Sequence, residues 1–176
     1  MYKITQNIYT FDELNNDAQS KAIYSIKKLI SNSTSWREQV IIDGRDMLGI
    51  DISEYQLNPS NIVAKFCINA KESALGIVSA TEIDSTIYSI AREFLDDLDE
   101  LENGSVGPSV SDMLEYGQTV DELKSEYLDN LKAAYMLLIE GFAKEIETDE
   151  YAKISIFKQG ILFYEDGRLY EEKINL

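Results

Sequence analysis

The sequence predicts an α+β fold in which about four helices pack on a small antiparallel sheet that includes a C-terminal β-hairpin. Three observations carry this expectation. Apolar residues recur at steps of three and four over residues 83–101 and 119–147, the period of an amphipathic helix. β-Prone stretches lie at residues 2–9 and on both sides of the turn-forming run Asn58-Pro59-Ser60-Asn61. Near the end, Asp166-Gly167 sits between two apolar runs, which signals a hairpin. With 176 residues, 44% of them hydrophobic, the chain can bury one sizeable core, so residues 1–176 read as a single domain.

Residues 2–9 alternate in part and form the first expected strand, a partner for the C-terminal hairpin. Thr10-Phe11-Asp12-Glu13 fits a capping box, in which a hydroxyl and a carboxylate satisfy free amides at a helix start. A second start, Asn16-Asp17-Ala18-Gln19, follows at once, so a short turn precedes the main helix. Ala18, Ala22, Ile26, Leu29 and Ile30 keep helical spacing until Asn32-Ser33-Thr34-Ser35 breaks it. Trp36, Val40, Ile41, Met47 and Leu48 outline a second helix that Gly49 caps. Residues 52–57 and 62–68 follow as strands, and residues 70–78 suit either a short helix or an irregular segment. Ile83, Ile87, Ile90, Phe94, Leu98 and Leu101 then make a continuous stripe, ended by Asn103-Gly104-Ser105-Val106-Gly107-Pro108. A long helix is expected from Thr119, boxed with Glu122, to Glu147, its stripe running from Val120 through Tyr127 and Leu138 to Ile146. Residues 161–164 and 168–170 make the hairpin, and no internal repeat is visible.

Charge is distributed unevenly. Residues 81–150 hold 19 acids and 4 bases, a net of −15, while residues 1–80 carry −1 and residues 151–176 carry 0. A near-neutral body (1–80, 151–176) therefore bears one acidic helical segment (81–150). Between Asp84 and Glu102 the one base is Arg92. Solvated helix faces ordinarily mix the two signs to gain i,i+4 pairs, and like charges at this density repel, so a compensating use is expected. The candidate partner-binding residues are Glu93, Asp96, Asp97, Asp99, Glu100 and Glu102 on one helix, with Glu122, Glu126 and Asp129 on the next. Carboxylates four residues apart on a helix are about 6 Å apart along its axis, a distance of the order at which phosphates repeat along a nucleic-acid strand. Such a surface repels nucleic acid and membrane phosphates and attracts the basic grooves that bind them. The competing reading is a solvated helix face whose acid serves solubility.

Catalytic and metal chemistries find little support. The chain has no histidine, which removes the commonest general base and zinc ligand. A calcium loop begun at Asp99 would place Leu101 at position 3 and Val110 at position 12, where oxygen ligands are needed. Gly104-Ser105-Val106-Gly107 lacks the Gly-Lys-Ser/Thr of a phosphate loop. A magnesium-dependent nuclease would need bases beside its acids to hold a polyanion. No catalytic residue, no metal ligand and no cofactor are therefore expected. Cys67 is the single cysteine, so no intrachain disulfide forms, which suits a reducing cytosol. Flanked by Phe66 and Ile68, it reads as a buried or half-buried side chain. No apolar run approaches the roughly 20 residues of a membrane helix, and the first residues lack the features of a secretion signal. A cytoplasmic location and no membrane contact are expected. Of the 11 tyrosines, Tyr88, Tyr116 and Tyr151 stand off the apolar stripes and read as core residues or interface anchors.

Four blocks, taken together, carry a resemblance: Tyr9-Thr10-Phe11-Asp12-Glu13-Leu14, Asp17-Ala18-Gln19-Ser20-Lys21-Ala22, Ile50-Asp51-Ile52-Ser53-Glu54-Tyr55 and Tyr164-Glu165-Asp166-Gly167-Arg168-Leu169-Tyr170. In order and spacing they resemble a group of small acidic proteins carried by phages and prophages of Gram-positive bacteria, whose members are often labelled antitoxin-like. Small acidic phage proteins of this size also include anti-CRISPR inhibitors. The resemblance implies a phage origin and carries over no catalytic residue. Joined to the acidic helices, it leads to an expected function: a non-enzymatic inhibitor, acting in a bacterial host cell. Its acidic, nucleic-acid-mimicking surface would occupy the basic groove of a nucleic-acid-handling protein, for example a CRISPR effector nuclease of the Cas9 type. No direct binding to nucleic acid is expected. The alternative is an antitoxin-like or scaffolding interaction module without mimicry.

Overall fold

Polar side chains at the chain's turns set where most helices begin. The structure, a computed structural model, describes residues 7–103 and 110–170. Near the start, the Glu13 carboxylate accepts hydrogen bonds from the Thr10 amide (2.7 Å) and hydroxyl (2.9 Å), closing a single 3-10 turn over Phe11–Glu13. The Asn15 side chain accepts from the Ala18 amide at 2.9 Å and so caps α1 (Asn16–Asn32). α2 (Ser35–Leu48) runs to Gly49, whose φ of +66° lets the chain turn sharply into β1 (Ile50–Leu57). β1 pairs antiparallel with β2 (Ser60–Phe66), from Ile50 opposite Phe66 to Leu57 opposite Ser60, with a register shift between Ile52 and Glu54. Asn69 caps α3 (Ala70–Ala80). α4 (Thr86–Asn103) and α5 (Val110–Glu145) follow. Thr148 caps α6 (Asp149–Gln159), accepting from the Tyr151 amide at 3.1 Å, and Gly160 ends that helix at φ +60°.

The α+β expectation is overturned. The fold is mostly helical, at 69% of the described residues. Among the described residues there are six helices and one two-stranded sheet in the middle of the chain, with no C-terminal hairpin. α6 uses the chain up to Gln159 and Gly160 caps it, so only four residues remain before the turn at Glu165-Asp166-Gly167. The residues expected to pair, 161–164 and 168–170, lie clear of α6 but do not form continuous strands. The turn itself forms, with Gly167 N–H donating to the Tyr164 carbonyl (2.9 Å) and Tyr164 N–H to the Arg168 carbonyl (2.8 Å). Its flanks make isolated bridges: Phe163 pairs with Leu169 on one side and Tyr9 on the other. Tyr9 is also what the structure keeps of the first predicted strand, whose residues 2–6 lie outside the described residues. The helix expected from Thr119 begins earlier, at Val110, and the capping box does not form. The Thr119 hydroxyl instead donates to the Glu115 carbonyl inside the helix, at 2.9 Å.

The chain divides into two compact units. One joins residues 1–37 to residues 141–176. Its core sets Ala18, Ala22, Ile26 and Ile30 of α1 against Ala152 and Ile156 of α6, closed by Phe11 and Phe163. The alanines let the helix backbones approach. Phe11 meets Phe157 and Phe163 edge-on, at 5.8 and 6.3 Å between ring centroids. Lys27 bonds Asp149 at 2.7 Å between α1 and α6. Gly167, at φ +83°, lies so close to α1 that a Cβ there would collide with the Ala18 carbonyl oxygen.

The other unit is residues 38–140. α2 sits on β1 through Gly44, where a Cβ would come 2.5 Å from the Ile52 side chain. The buried Tyr135 hydroxyl of α5 donates to the Val40 carbonyl of α2 at 2.8 Å, and burial pushes its pKa up. This division also separates the charge. Residues 38–140 hold 21 of the acids against 6 bases, whereas the other unit holds 11 against 10. The net negative charge is therefore the property of one folded unit.

Candidate functional site

Tyr127 fixes the two acidic helices relative to each other. It is 2% exposed, and its ring is stacked on Phe94 of α4 at 4.2 Å and 11° and on Phe66 of β2 at 5.6 Å and 21°. A stack on both faces gives one ring contact with a helix and with the sheet. The buried Ser73 hydroxyl of α3 donates to the Leu48 carbonyl at 2.6 Å. With that proton committed, the Tyr127 hydroxyl is the donor in its 3.2 Å bond to Ser73. Burial raises the Tyr127 pKa to about 12. One tyrosine thus connects α3, α4, α5 and the sheet.

On α4 the core stripe is Ile87, Ala91, Phe94 and Leu98. Ile83, predicted to begin it, lies ahead of the helix and is 73% exposed. All six candidate acids of this helix are exposed. At 100° per residue, Glu93, Asp97 and Glu100 form a row at steps of four and three along one flank, and Asp96 lies beside them. Asp99 and Glu102 fall on the other flank. On α5, Glu122, Glu126 and Asp129 make a second exposed row with the same steps.

The structure gives three of these nine acids a cation. Arg92 reaches Asp96 with two nitrogens, at 2.9 and 3.3 Å. Lys71 of α3 holds both oxygens of Glu102, at 2.8 and 3.0 Å. Lys132 pairs with Asp129 at 2.5 Å. Among the described residues, Glu93, Asp97, Asp99, Glu100, Glu122 and Glu126 make no ion pair. Arg92 and Asp96 are a readable i,i+4 pair, and Lys132 and Asp129 an i,i+3 pair. Lys71 and Glu102 are 31 residues apart, so only the packing of α3 on α4 brings them together.

Other candidate chemistry is sparse. Among the described residues, no group of three or more Cys, Asp or Glu side chains is placed to hold a metal ion. A shallow cavity of about 410 Å³ lies between the start of α1 and the Asp166-Gly167 turn, lined by Asn15, Asp17, Ala18, Lys21, Glu165 and Asp166. It is open to solvent, and Asp166 is already engaged: the Arg168 amide and guanidinium hold its carboxyl below the usual range. Cys67, expected to be buried or half-buried, is exposed: it lies just beyond β2, where its amide donates to the Gly49 carbonyl (2.9 Å) and no further strand follows. Tyr88, Tyr116 and Tyr151 are half-buried, and Tyr151 packs edge-on against Phe142 at 6.0 Å. Among the described residues, no helix is long and apolar enough to cross a membrane. In comparisons with known proteins, the chain matches no family model, no curated protein and no solved structure.

Proposed function

We propose that this protein is a non-enzymatic inhibitor that docks its α4–α5 surface into the basic nucleic-acid-binding groove of another protein. The observation that carries the reading is the set of six exposed carboxylates without a cation, held on two helices that a stacked tyrosine fixes, within a unit of 21 acids and 6 bases. Rigid presentation favours recognition, because a fixed array loses little freedom on binding. The sign of the charge favours a cationic protein partner and disfavours nucleic acid itself. In this reading the protein is phage-encoded, acts in the bacterial cytoplasm, and takes a CRISPR effector nuclease as target. The sequence resemblance supports that part.

The test is inhibition of DNA cleavage by a purified, guide-loaded Cas9-type nuclease. Inhibition is expected to weaken steeply as salt rises and to disappear when Glu93, Asp97 and Glu100 are reversed to Lys. Binding that ignores both salt and these reversals would remove mimicry. The antitoxin-like or scaffolding reading has its own support in the exposed apolar residues of α5, Met113, Leu114, Leu137 and Leu138. It predicts a complex broken by apolar substitutions and indifferent to charge.

A further inference from the structure

Among the described residues, α1 is the one helix whose sequence carries a net positive charge: it holds Lys21, Lys27 and Lys28 against Asp17. α4 is its opposite, with six acids and the single base Arg92. Lys27 is taken by Asp149. Lys21, Tyr24 and Lys28 follow at steps of three and four and are all exposed, so at 100° per residue they form one row within about 60° on the outer side of α1. Tyr24, between the two lysines, is 70% exposed, and tyrosine is enriched among interface anchors. Neither lysine makes an ion pair among the described residues. That holds even for Lys21, which follows Asp17 at the i,i+4 spacing that favours one and shares a cavity wall with Asp17 and Glu165.

The row of α4 without a cation is Glu93, Asp97 and Glu100, at steps of four and three. Read backwards, it has the spacing of the α1 row. Two antiparallel helices share one rise per residue, so Lys21, Tyr24 and Lys28 come level with Glu100, Asp97 and Glu93 at the same time. An ammonium then meets a carboxylate at each end, and the Tyr24 hydroxyl donates to Asp97 between them. One turn further, exposed Asn32 comes level with exposed Ser89. At the other end, Asp17 would face a position beyond Asn103, where α4 stops, so that helix sets no carboxylate opposite it. α1 belongs to the unit of 11 acids and 10 bases, α4 to the unit of 21 and 6. Setting the first kind of unit on the second kind in another molecule avoids placing two strongly acidic units face to face.

We propose that a second copy of this chain occupies the α1 row: α1 of one molecule lies antiparallel along α4 of the next, with Lys21 on Glu100, Tyr24 on Asp97 and Lys28 on Glu93. The contact is heterologous, so each copy keeps a free α1 row on one side and a free α4 row on the other, and assembly proceeds head to tail. Exposed ion pairs are individually weak, so the assembly forms at high protein concentration and dissolves in salt. It stands without the acidic-surface reading, but it covers the same carboxylates, so self-assembly and docking into a foreign groove compete.

Sedimentation equilibrium of the full chain tests this. The average mass should rise with protein concentration at low ionic strength and return to the monomer at about 1 M salt, where the Debye length is about 3 Å. The double variants Lys21→Glu/Lys28→Glu and Glu93→Lys/Glu100→Lys should each stay monomeric alone, because each sets like charges opposite one another. Mixed together they should associate again, since each then meets the opposite sign; that rescue requires both to be folded. Zero-length carbodiimide coupling of isotope-labelled with unlabelled native chain reads the register: mixed-isotope links Lys21–Glu100 and Lys28–Glu93 are expected. Links Lys21–Glu93 and Lys28–Glu100 would mean a parallel contact and overturn the proposal. A monomer at every concentration and salt overturns it, as does an association that survives salt or that the mixed variants fail to restore.

Discussion

Replacing Tyr127 by alanine is the sharpest stability test of how the acidic unit is built. The ring is 2% exposed and stacked on both faces, against Phe94 at 4.2 Å and Phe66 at 5.6 Å. Removing a buried aromatic ring costs about 3–5 kcal/mol through lost burial and the cavity left behind. The stacking adds roughly 0.5–1.5 kcal/mol beyond area. A loss of about 4 kcal/mol is large against a typical domain stability of roughly 5–15 kcal/mol. With a slope of about 2 kcal/mol/M in urea, the midpoint should fall by about 2 M. Tyr127→Phe keeps the stack and removes one hydroxyl bond to Ser73, so its cost should be about 1 kcal/mol, or roughly 0.5 M. Urea melts followed by far-ultraviolet circular dichroism measure both. Trp36, packed on Phe142 in the other unit, gives a separate fluorescence signal for that unit. If Tyr127→Ala shifts the dichroism midpoint by no more than Tyr127→Phe does, the ring is not what holds α4, α5 and the sheet together.

Neutralising the unpaired row by Glu93→Gln, Asp97→Asn and Glu100→Gln should raise stability by about 0.5–1 kcal/mol at low salt, since like charges at helical spacing repel. The gain should vanish in concentrated salt, while partner binding falls. The pKa of Tyr127, raised to about 12, makes a further prediction. Its neutral form is favoured in the fold, so its contribution is complete below pH 10 and lost as pH climbs towards 12. Tyr127→Phe should flatten that alkaline loss relative to the native chain in urea melts repeated across pH 9–12. At the acidic end, Lys27 holds the Asp149 carboxyl below its ordinary 3.8. The stability this pair gives is present above that value and lost as pH falls through the lower folded pKa, so Lys27→Met should reduce the acid sensitivity seen by Trp36 fluorescence. Thr148→Ala removes the α6 cap and should cost about 1 kcal/mol in the same assay.

Where the physics is local, the sequence was readable. The Thr10–Glu13 turn, α1, α2 to Gly49, the β1–β2 pair and the α4 stripe all follow from caps, turns and periodicity within a few residues. The errors arose where local signals compete. Thr119 and Glu122 have the spacing of a helix start, but Gly117 and the polar residues before them are tolerated inside α5, so the helix runs through. Residues 149–159 give no clear helical stripe because Ala152 and Ile156 are the positions fully buried, while Ile154 and Phe157 are 41% and 55% exposed. The Asp166-Gly167 turn was legible. That its flanks would make single bridges was not, because Phe163 shares its pairing between Leu169 and Tyr9, a residue from the other end of the chain. The acidic segment is legible from composition alone. Which of its acids bear a cation depended, for Glu102, on a lysine 31 residues away.

One unit is built from the two ends of the chain, with the whole of the other between them. A ribosome delivers α1 first, and its core partners Ala152, Ile156 and Phe163 last. The Tyr9–Phe163 bridge closes a span of more than 150 residues. Residues 38–140 can complete their own packing while α1 still waits for α6, so the nascent chain should acquire its acidic half first. During that interval the Ala18, Ala22, Ile26 and Ile30 face of α1 stands uncovered, the moment in the molecule's life when it is most open to chaperones and to misassembly.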